Sequence, residues 1–248
     1  MPSALSIKLG DFLYKNVFPV YNIIYPIFKR KQDRHEIALL KKYIKKGDVV
    51  LDIGANIGFY TKILSDLVGE TGKVYAFEPD KTNFSHLKKN AGNLTNVEFI
   101  NKAVSDKTGT ITLYQSDLLN VDHKTYETKD YTSKTEIESV AMDDIIPKHR
   151  VDFIKIDIQG FEYFAFQGMQ QIFKTNEDLK IITEFYPLGL HNAKINAFDF
   201  FDLLWKNNFI VYKTVDNQTS EFNNSDIEKY IAVKDVYTFV DLFIEKKK

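Results

Sequence analysis

The chain has no cysteine in 248 residues. That absence removes disulfide frameworks, thiolate nucleophiles, Cys-ligated zinc and iron–sulfur clusters. Histidine is scarce as well: His35, His86, His123, His149 and His191 are scattered, and none pairs with another at metal-ligand spacing. His35-Glu36 opens like a zinc-protease helix, but Leu39 and Leu40 stand where the second histidine belongs. No metal is therefore expected. With 11 glycines and 6 prolines the chain is neither fibrous nor of low complexity. A net charge of −1 gives no basic surplus for a phosphate backbone, so nucleic acid is not expected as a partner. No apolar run reaches the roughly 18–20 residues that cross a bilayer. The stretch from Asn16 to Phe28 is uncharged and aromatic, but Pro19 and Pro26 interrupt it and no cleavage site follows. A cytoplasmic protein is expected.

What is present is a core. Twenty phenylalanines and 14 tyrosines supply ample buried area, and the length suits one domain with additions. Residues 1–34 read as an aromatic helical arm, with three roles open to it: packing on the domain, covering the substrate, or touching a membrane surface. Residues 35–248 read as the domain itself.

Within that domain short apolar runs alternate with helical spacing. Val49-Val50-Leu51-Asp52-Ile53 and Val74-Tyr75-Ala76-Phe77 look like strands buried on both faces of a parallel sheet. Further strands are expected at Val97–Ile100, Val151–Ile158, Leu179–Thr183, Phe209–Lys213 and Tyr230–Val233. Helices are expected over Arg34–Tyr43, Phe59–Val68, Thr82–Ala91, Phe161–Phe173 and Ala197–Lys206. Residues 110–140 interrupt the alternation. There, Thr110–Tyr114 and Thr135–Val140 have the period of half-exposed antiparallel strands, an inserted β-hairpin around a polar loop, Asp117–Lys134. Strand–helix alternation means βαβ crossovers, hence an α/β fold with helices on both faces of an open sheet.

Ligands of such sheets bind beyond the carboxyl ends of the strands. The polar residues there are Asp52 with Gly54, Asn56 and Gly58, then Glu78, Ser105-Asp106, Asp157 and Glu184. A carboxylate at a strand end can instead cap the next helix, as Asp80 can. Glycines in the Asp52–Gly58 turn would let the backbone approach a ligand without Cβ interference. Their spacing is not G-x-G-x-x-G, and no Lys-Ser/Thr follows, so a phosphate-cradling loop is rejected. Glu78 ends the next strand, where an acid can accept hydrogen bonds from both ribose hydroxyls of an adenosine.

Four motifs in order, Val50–Gly58, Ala76-Phe77-Glu78-Pro79, Ala103-Val104-Ser105-Asp106 and Phe153–Glu162, resemble the FkbM family of S-adenosylmethionine-dependent methyltransferases. The resemblance runs from about residue 47 to about 190. It implies the class I methyltransferase fold, a Rossmann-like seven-stranded sheet with one antiparallel strand. It also implies S-adenosyl-L-methionine as cofactor, and transfer usually to a hydroxyl oxygen of a sugar, glycan or secondary metabolite. Carried over, Asp52, Gly54, Ala55, Asn56 and Gly58 would pass under the methionine part of the cofactor. Glu78 with Pro79 would hold the ribose, Ser105 and Asp106 would border the adenine, and Asp157 would lie near the methyl group. Gln159 departs from the family pattern, which often has an acid there. Gln159, Glu162 and Glu184 are candidate substrate contacts.

An alcohol is a poor nucleophile at neutral pH, so a general base is sought. Asp157 is the first candidate and His191 the second, with Lys155 placed to orient Asp157 or simply to pair with it. Glu184 could also join Asp157 around a divalent cation. Two competing readings are a catalytically inactive cofactor-binding module and an NAD-dependent oxidoreductase, the latter lacking its third glycine. Acceptor identity and oligomeric state have no signal in the sequence.

Overall fold

In the computed structural model, which describes residues 4–115, 133–146, 150–215, 218–233 and 238–247, three helices precede the first strand. They are α1 (Ala4–Asn16), α2 (Phe18–Gln32) and α3 (Arg34–Tyr43). Pro19 lies in the first turn of α2, where its missing N–H has no intrahelical partner to lose. Pro26 lies inside the same helix without ending it.

The alternation follows as β1 (Val49–Ile53), α4 (Phe59–Val68), β2 (Lys73–Phe77), α5 (Lys81–Ala91) and β3 (Val97–Ile100). Three strands then form a separate small sheet in the order β4-β6-β5. They are β4 (Ala103–Val104), β5 (Gly109–Gln115) and β6 (Ser133–Val140), with β5 and β6 antiparallel. All but the last two residues of the polar stretch Asp117–Lys134 lie outside the described residues; Ser133 and Lys134 open β6. The chain continues through α6 (Met142–Ile145), β7 (Phe153–Ile156), α7 (Glu162–Gln167), α8 (Gln170–Thr175), β8 (Lys180–Phe185) and α9 (Pro187–Asn192). It closes with α10 (Ala197–Lys206), β9 (Phe209–Val215), β10 (Gln218–Glu221), α11 (Asn224–Ile231) and β11 (Val240–Lys246).

Two local expectations are corrected. The helix expected over Phe161–Phe173 is two, α7 and α8, parted at Gly168-Met169. The strand expected at Tyr230–Val233 is instead the end of α11 and the residues after it. Asn223 and Asp226 form a capping box that starts that helix, and the apolar residues behind it, Ile227 and Tyr230, pack on the core as a helical face. The strand of that region is β11.

The main sheet runs β10-β9-β11-β8-β7-β1-β2-β3. β1, β2, β3, β7 and β8 are parallel, while β11 runs against both β8 and β9. Without β10 this is a seven-stranded sheet with one reversed strand; β10, fully exposed, adds an eighth at the edge. From β1 the chain moves outward to β2 and β3, then returns to β7 on the other side of β1. The topological switch, and with it the crevice where a ligand fits, lies at the carboxyl ends of β1 and β7. Side chains alternate across the sheet. Leu51 and Ile53 face the core under α7 to α11, whereas Val50 faces the core under α3 and α4. Asp52 shares Val50's face, and that parity decides where the site's charges meet.

Candidate active site

The turn from β1 into α4 is held by backbone. The amides of Gly54 and Ala55 both donate to the Phe77 carbonyl, and Gly58 N donates to Ala55 O. Gly54 has φ +82, and a Cβ there would collide with the Asp157 carbonyl oxygen. The glycine is therefore needed first for the close approach of β1 to the turn after β7, a reason different from room for a ligand. Glu78 fastens the same turn from β2. Its Oε2 accepts from Asn56 N at 2.8 Å and its Oε1 from Asp80 N at 2.9 Å. Burial pushes its pKa up to about 8 against those two stabilising amides. The Asn83 side chain also hydrogen-bonds this carboxylate, which leaves it room for one ligand hydroxyl. Pro79 follows directly, and Asp80 caps α5 through Asn83 N at 2.8 Å.

On the Asp52 face a charge cluster is buried. Asp52 lies opposite Lys155 in the β1–β7 register, and Asp157 extends the same face past the end of β7. Lys155 is 3% exposed, and its Nζ lies 3.6 Å from Asp157 Oδ2 and 4.6 Å from the Tyr60 ring centre. Burial disfavours its charge, but Asp157, Glu36 and Asp52 outweigh that and raise its pKa. Asp52 Oδ2 accepts from the Thr61 hydroxyl at 2.6 Å. Its Oδ1 is buried without a hydrogen-bond partner among the described residues, an acceptor that an amine or a water would satisfy. Burial raises the Asp52 pKa in spite of Lys155.

Asp157 behaves in the opposite sense. Burial alone would raise it, but Lys155 and Lys29 overcome that and hold the carboxyl below its ordinary value. Gln159, in a left-handed backbone conformation, donates Nε2 to Asp157 Oδ1 at 2.9 Å. An acid at 159 would repel this carboxylate where the amide steadies it. Glu184 ends β8 on the same face. Burial first, then the charges of Asp157, Asp241 and Glu162, push its pKa up to about 9. Glu162 does not point outward: its oxygens accept from Ile158 N and Gly160 N, both at 2.9 Å, and tie down the turn that carries Gln159.

The helices before β1 complete the cluster, and no short motif marks their contribution. The Tyr60 hydroxyl lies 2.5 Å from Asp33 Oδ2 and 2.6 Å from Glu36 Oε2. One hydroxyl has one proton to give, so one contact requires a protonated carboxyl. Glu36 supplies it, its pKa pushed up to about 7 chiefly by burial. Lys29 Nζ pairs with Asp33 at 2.6 Å and adds its charge to the field at Asp157. At the Glu78 end, the Tyr14 hydroxyl donates to Asn83 Oδ1 at 2.5 Å.

Other expected residues lie apart from this cluster. Ser105 and Asp106 follow β4 in the small sheet, with Ser105 Oγ donating to Asp106 Oδ1 at 2.9 Å. Asn101, between β3 and β4, donates its Nδ2 to the carbonyls of Glu78 and Pro79. His191 is exposed in the last turn of α9 and makes none of the hydrogen bonds described above. Among the described residues no group of three or more His, Asp or Glu is arranged to hold a metal ion. The backbone turn, the orphaned Asp52 Oδ1 and the one lone pair left on Glu78 fit an adenosine-bearing cofactor with an amino group.

A family model for the methyltransferase FkbM domain matches residues 52–211. Among curated proteins, the hexuronic acid methyltransferase AglP of Haloferax volcanii is 26% identical over 151 residues, which is 59% of this chain and 60% of that protein. A Saccharolobus solfataricus protein assigned as cobalt-precorrin-6B C(15)-methyltransferase is 40% identical over 73 residues, 28% of this chain and 37% of that one. The chain thus matches less than two thirds of the length of either relative. Of solved structures, a Clostridium thermocellum protein assigned as an rRNA methylase superposes with TM-score 0.54 at 16% identity, covering 86% of this chain and 94% of that one. A Streptococcus mutans methyltransferase in complex with S-adenosylhomocysteine superposes with TM-score 0.51 at 13% identity, covering 87% and 97%. At such identities the likeness is one of fold.

Proposed function

The chain belongs to the FkbM methyltransferase family, and on that footing we propose that it is an O-methyltransferase acting on a hydroxyl of a sugar, glycan or secondary metabolite. S-adenosylmethionine is the cofactor, and when bound it supplies an electrophilic methyl group on a sulfonium. The turn Gly54–Gly58 with Asp52, then Glu78 and Pro79, then Ser105 and Asp106, are the residues assigned to hold it.

One observation carries the choice of a hydroxyl acceptor. Two carboxyls at neighbouring strand ends, Asp157 and Glu184, have their ionisation pushed in opposite directions. Such a separation assigns acid and base roles. Asp157, ionised beside Lys155 and Lys29, accepts a hydrogen bond from the acceptor hydroxyl, orients its oxygen and takes its proton. Glu184, protonated at neutral pH, donates a hydrogen bond to a second oxygen of the acceptor. Gln159 keeps Asp157 in place, and Glu162 keeps the Gln159 turn in place. The cations that hold Asp157 ionised also make it a weak base, so alignment of the oxygen adds to what proton removal contributes. The sugar class is supported by the hexuronic acid methyltransferase of Haloferax volcanii.

The test is turnover with a panel of glycosides, neutral and uronic, read as S-adenosylhomocysteine release. With an active acceptor, Asp157→Asn should lower the single-turnover rate about 10²–10⁴-fold while cofactor affinity stays near wild type. A near-wild-type rate across neutral pH would remove Asp157 from this role and turn attention to His191. No release with any hydroxyl acceptor, alongside intact cofactor binding, would favour a cofactor-binding module without activity.

A further inference from the structure

Helix α2 has two apolar faces and the protein covers only one. The inner face carries Phe18, stacked on His86 at 3.5 Å, then Tyr21, which is buried, and Tyr25, edge-on to Phe59. The outer face carries Val20, Ile24 and Ile27, with Ile23 and Phe28 beside them, at the three- and four-residue spacing of a single helical stripe. Ile23 is 68% exposed and Ile27 69%. Of twelve large apolar side chains exposed among the described residues, eight lie between Leu9 and Phe28. An exposed patch of this kind marks an interaction surface.

Charge selects the partner. Residues 4–32 carry Lys8, Lys15, Lys29, Arg30 and Lys31 against Asp11 alone, +4 in a chain whose total is −1. Lys31 continues the outer stripe one turn past Ile27, and Arg30 stands next to it. Both are exposed, and neither forms an ion pair among the described residues. Asp11 is bonded to Lys15 at 3.1 Å and Asp33 is turned inward to Lys29 and Tyr60. An apolar stripe rimmed by unpaired cations matches the boundary between acyl chains and anionic headgroups. A second copy of the chain fits less well, since arm against arm would bring +4 against +4. The helix is 15 residues long and does not span; no helix among the described residues is long and apolar enough to cross a membrane.

We propose that the outer face of α2 docks the protein on an anionic lipid surface, lying in the plane of the interface. The inner face of the same helix holds Lys29 against the Asp157 cluster, so docking would place the candidate site beside the headgroups. The test is co-sedimentation of the full chain with phosphatidylcholine vesicles, with and without phosphatidylserine, at low and high salt. Binding is expected to phosphatidylserine-containing vesicles and to fall as salt rises. The exposed pair Ile23→Ser with Ile27→Ser should weaken it by at least about tenfold, and Arg30→Glu with Lys31→Glu should remove the preference for anionic lipid. Circular dichroism and S-adenosylhomocysteine affinity should be unchanged in both. Three results would overturn the proposal: no vesicle binding, equal binding to phosphatidylcholine alone, or a concentration-dependent dimer that the isoleucine pair abolishes.

Discussion

The two faces of the main sheet bury their cores by different means. Under α7 to α11 the filling is aromatic: Phe200 stacks with Phe166 and Phe185, and Phe201 stacks with Phe222. Under α3 and α4 aliphatic side chains mix with Phe153 and the stacked pair Tyr43 and Phe243, and the filling turns ionic at the carboxyl ends of the strands, where Asp52, Lys155, Asp157 and Glu184 meet Glu36, Asp33 and Lys29. The first arrangement gains stability from area and ring packing that pH does not touch. The second places charges in low dielectric, where each is tolerated only while its partners remain. A fold seeking stability alone would have no reason to build the second face. Its cost is intelligible as the setting for a charge that must stand at the switch point of the sheet.

The comparison can be broken most severely at its hinge. Gly54→Val forces a branched side chain into the Asp157 backbone at positive φ, and should destabilise the protein by up to about 6 kcal/mol, read from chemical denaturation. A folded, stable variant would mean that β1 and the turn after β7 are not in contact.

Next come two substitutions of similar size that should part company with pH. Phe200→Ala should cost about 3–5 kcal/mol at any pH in the folded range. Lys155→Met should cost about 3–5 kcal/mol near neutrality by leaving Asp157, Asp52 and Glu36 without their shared cation. Without that cation the lowered Asp157 pKa rises and those of Asp52 and Glu36, already raised by burial, rise further, so the folded state binds extra protons and stability falls as pH rises. The Lys155→Met deficit should therefore shrink toward about pH 5, where protonation relieves it. Parallel pH profiles for the two variants would contradict the contrast between the faces.

The smallest effect sharpens it. Glu184 has a folded pKa of about 9 against an ordinary 4.5. Between those values the folded protein keeps a proton that the unfolded chain has released, so stability is complete below the unfolded value and is lost as pH rises through the folded one. Glu184→Gln removes this contribution. Its melting temperature should match wild type near about pH 4.5 and exceed it modestly near about pH 8.

The strand-end residues Asp52, Glu78 and Asp157 were legible because a buried parallel strand, its closing turn and its polar terminal residue are contiguous in sequence. The order of the sheet was legible in outline for the same reason. What escaped depends on contacts between segments far apart. Asp33, Glu36 and Lys29 look like a solvated helical stretch, and only the packing of α2 and α3 on Tyr60 and Lys155 turns them inward. The capping box at Asn223 and Asp226 is a local signal that outranks the apolar run Tyr230–Val233, of which Tyr230 packs inward while Ile231 and Val233 are exposed. Glu162 has the composition of a ligand contact and the geometry of a brace, since only the structure reveals that Ile158 N and Gly160 N occupy its oxygens.

The central claim is that the carboxyl edge of β1, β2 and β7 binds S-adenosylmethionine through Glu78 and the Gly54–Gly58 turn. Calorimetric titration of S-adenosylhomocysteine, and of NAD for contrast, into wild type and Glu78→Ala tests it most directly, with melting curves to confirm that both are folded. Binding of S-adenosylhomocysteine but not NAD is expected, with a loss of roughly 1.5–3 kcal/mol, or about 10- to 150-fold, in the variant. No binding by folded wild type, or equal affinity in folded Glu78→Ala, would contradict the account.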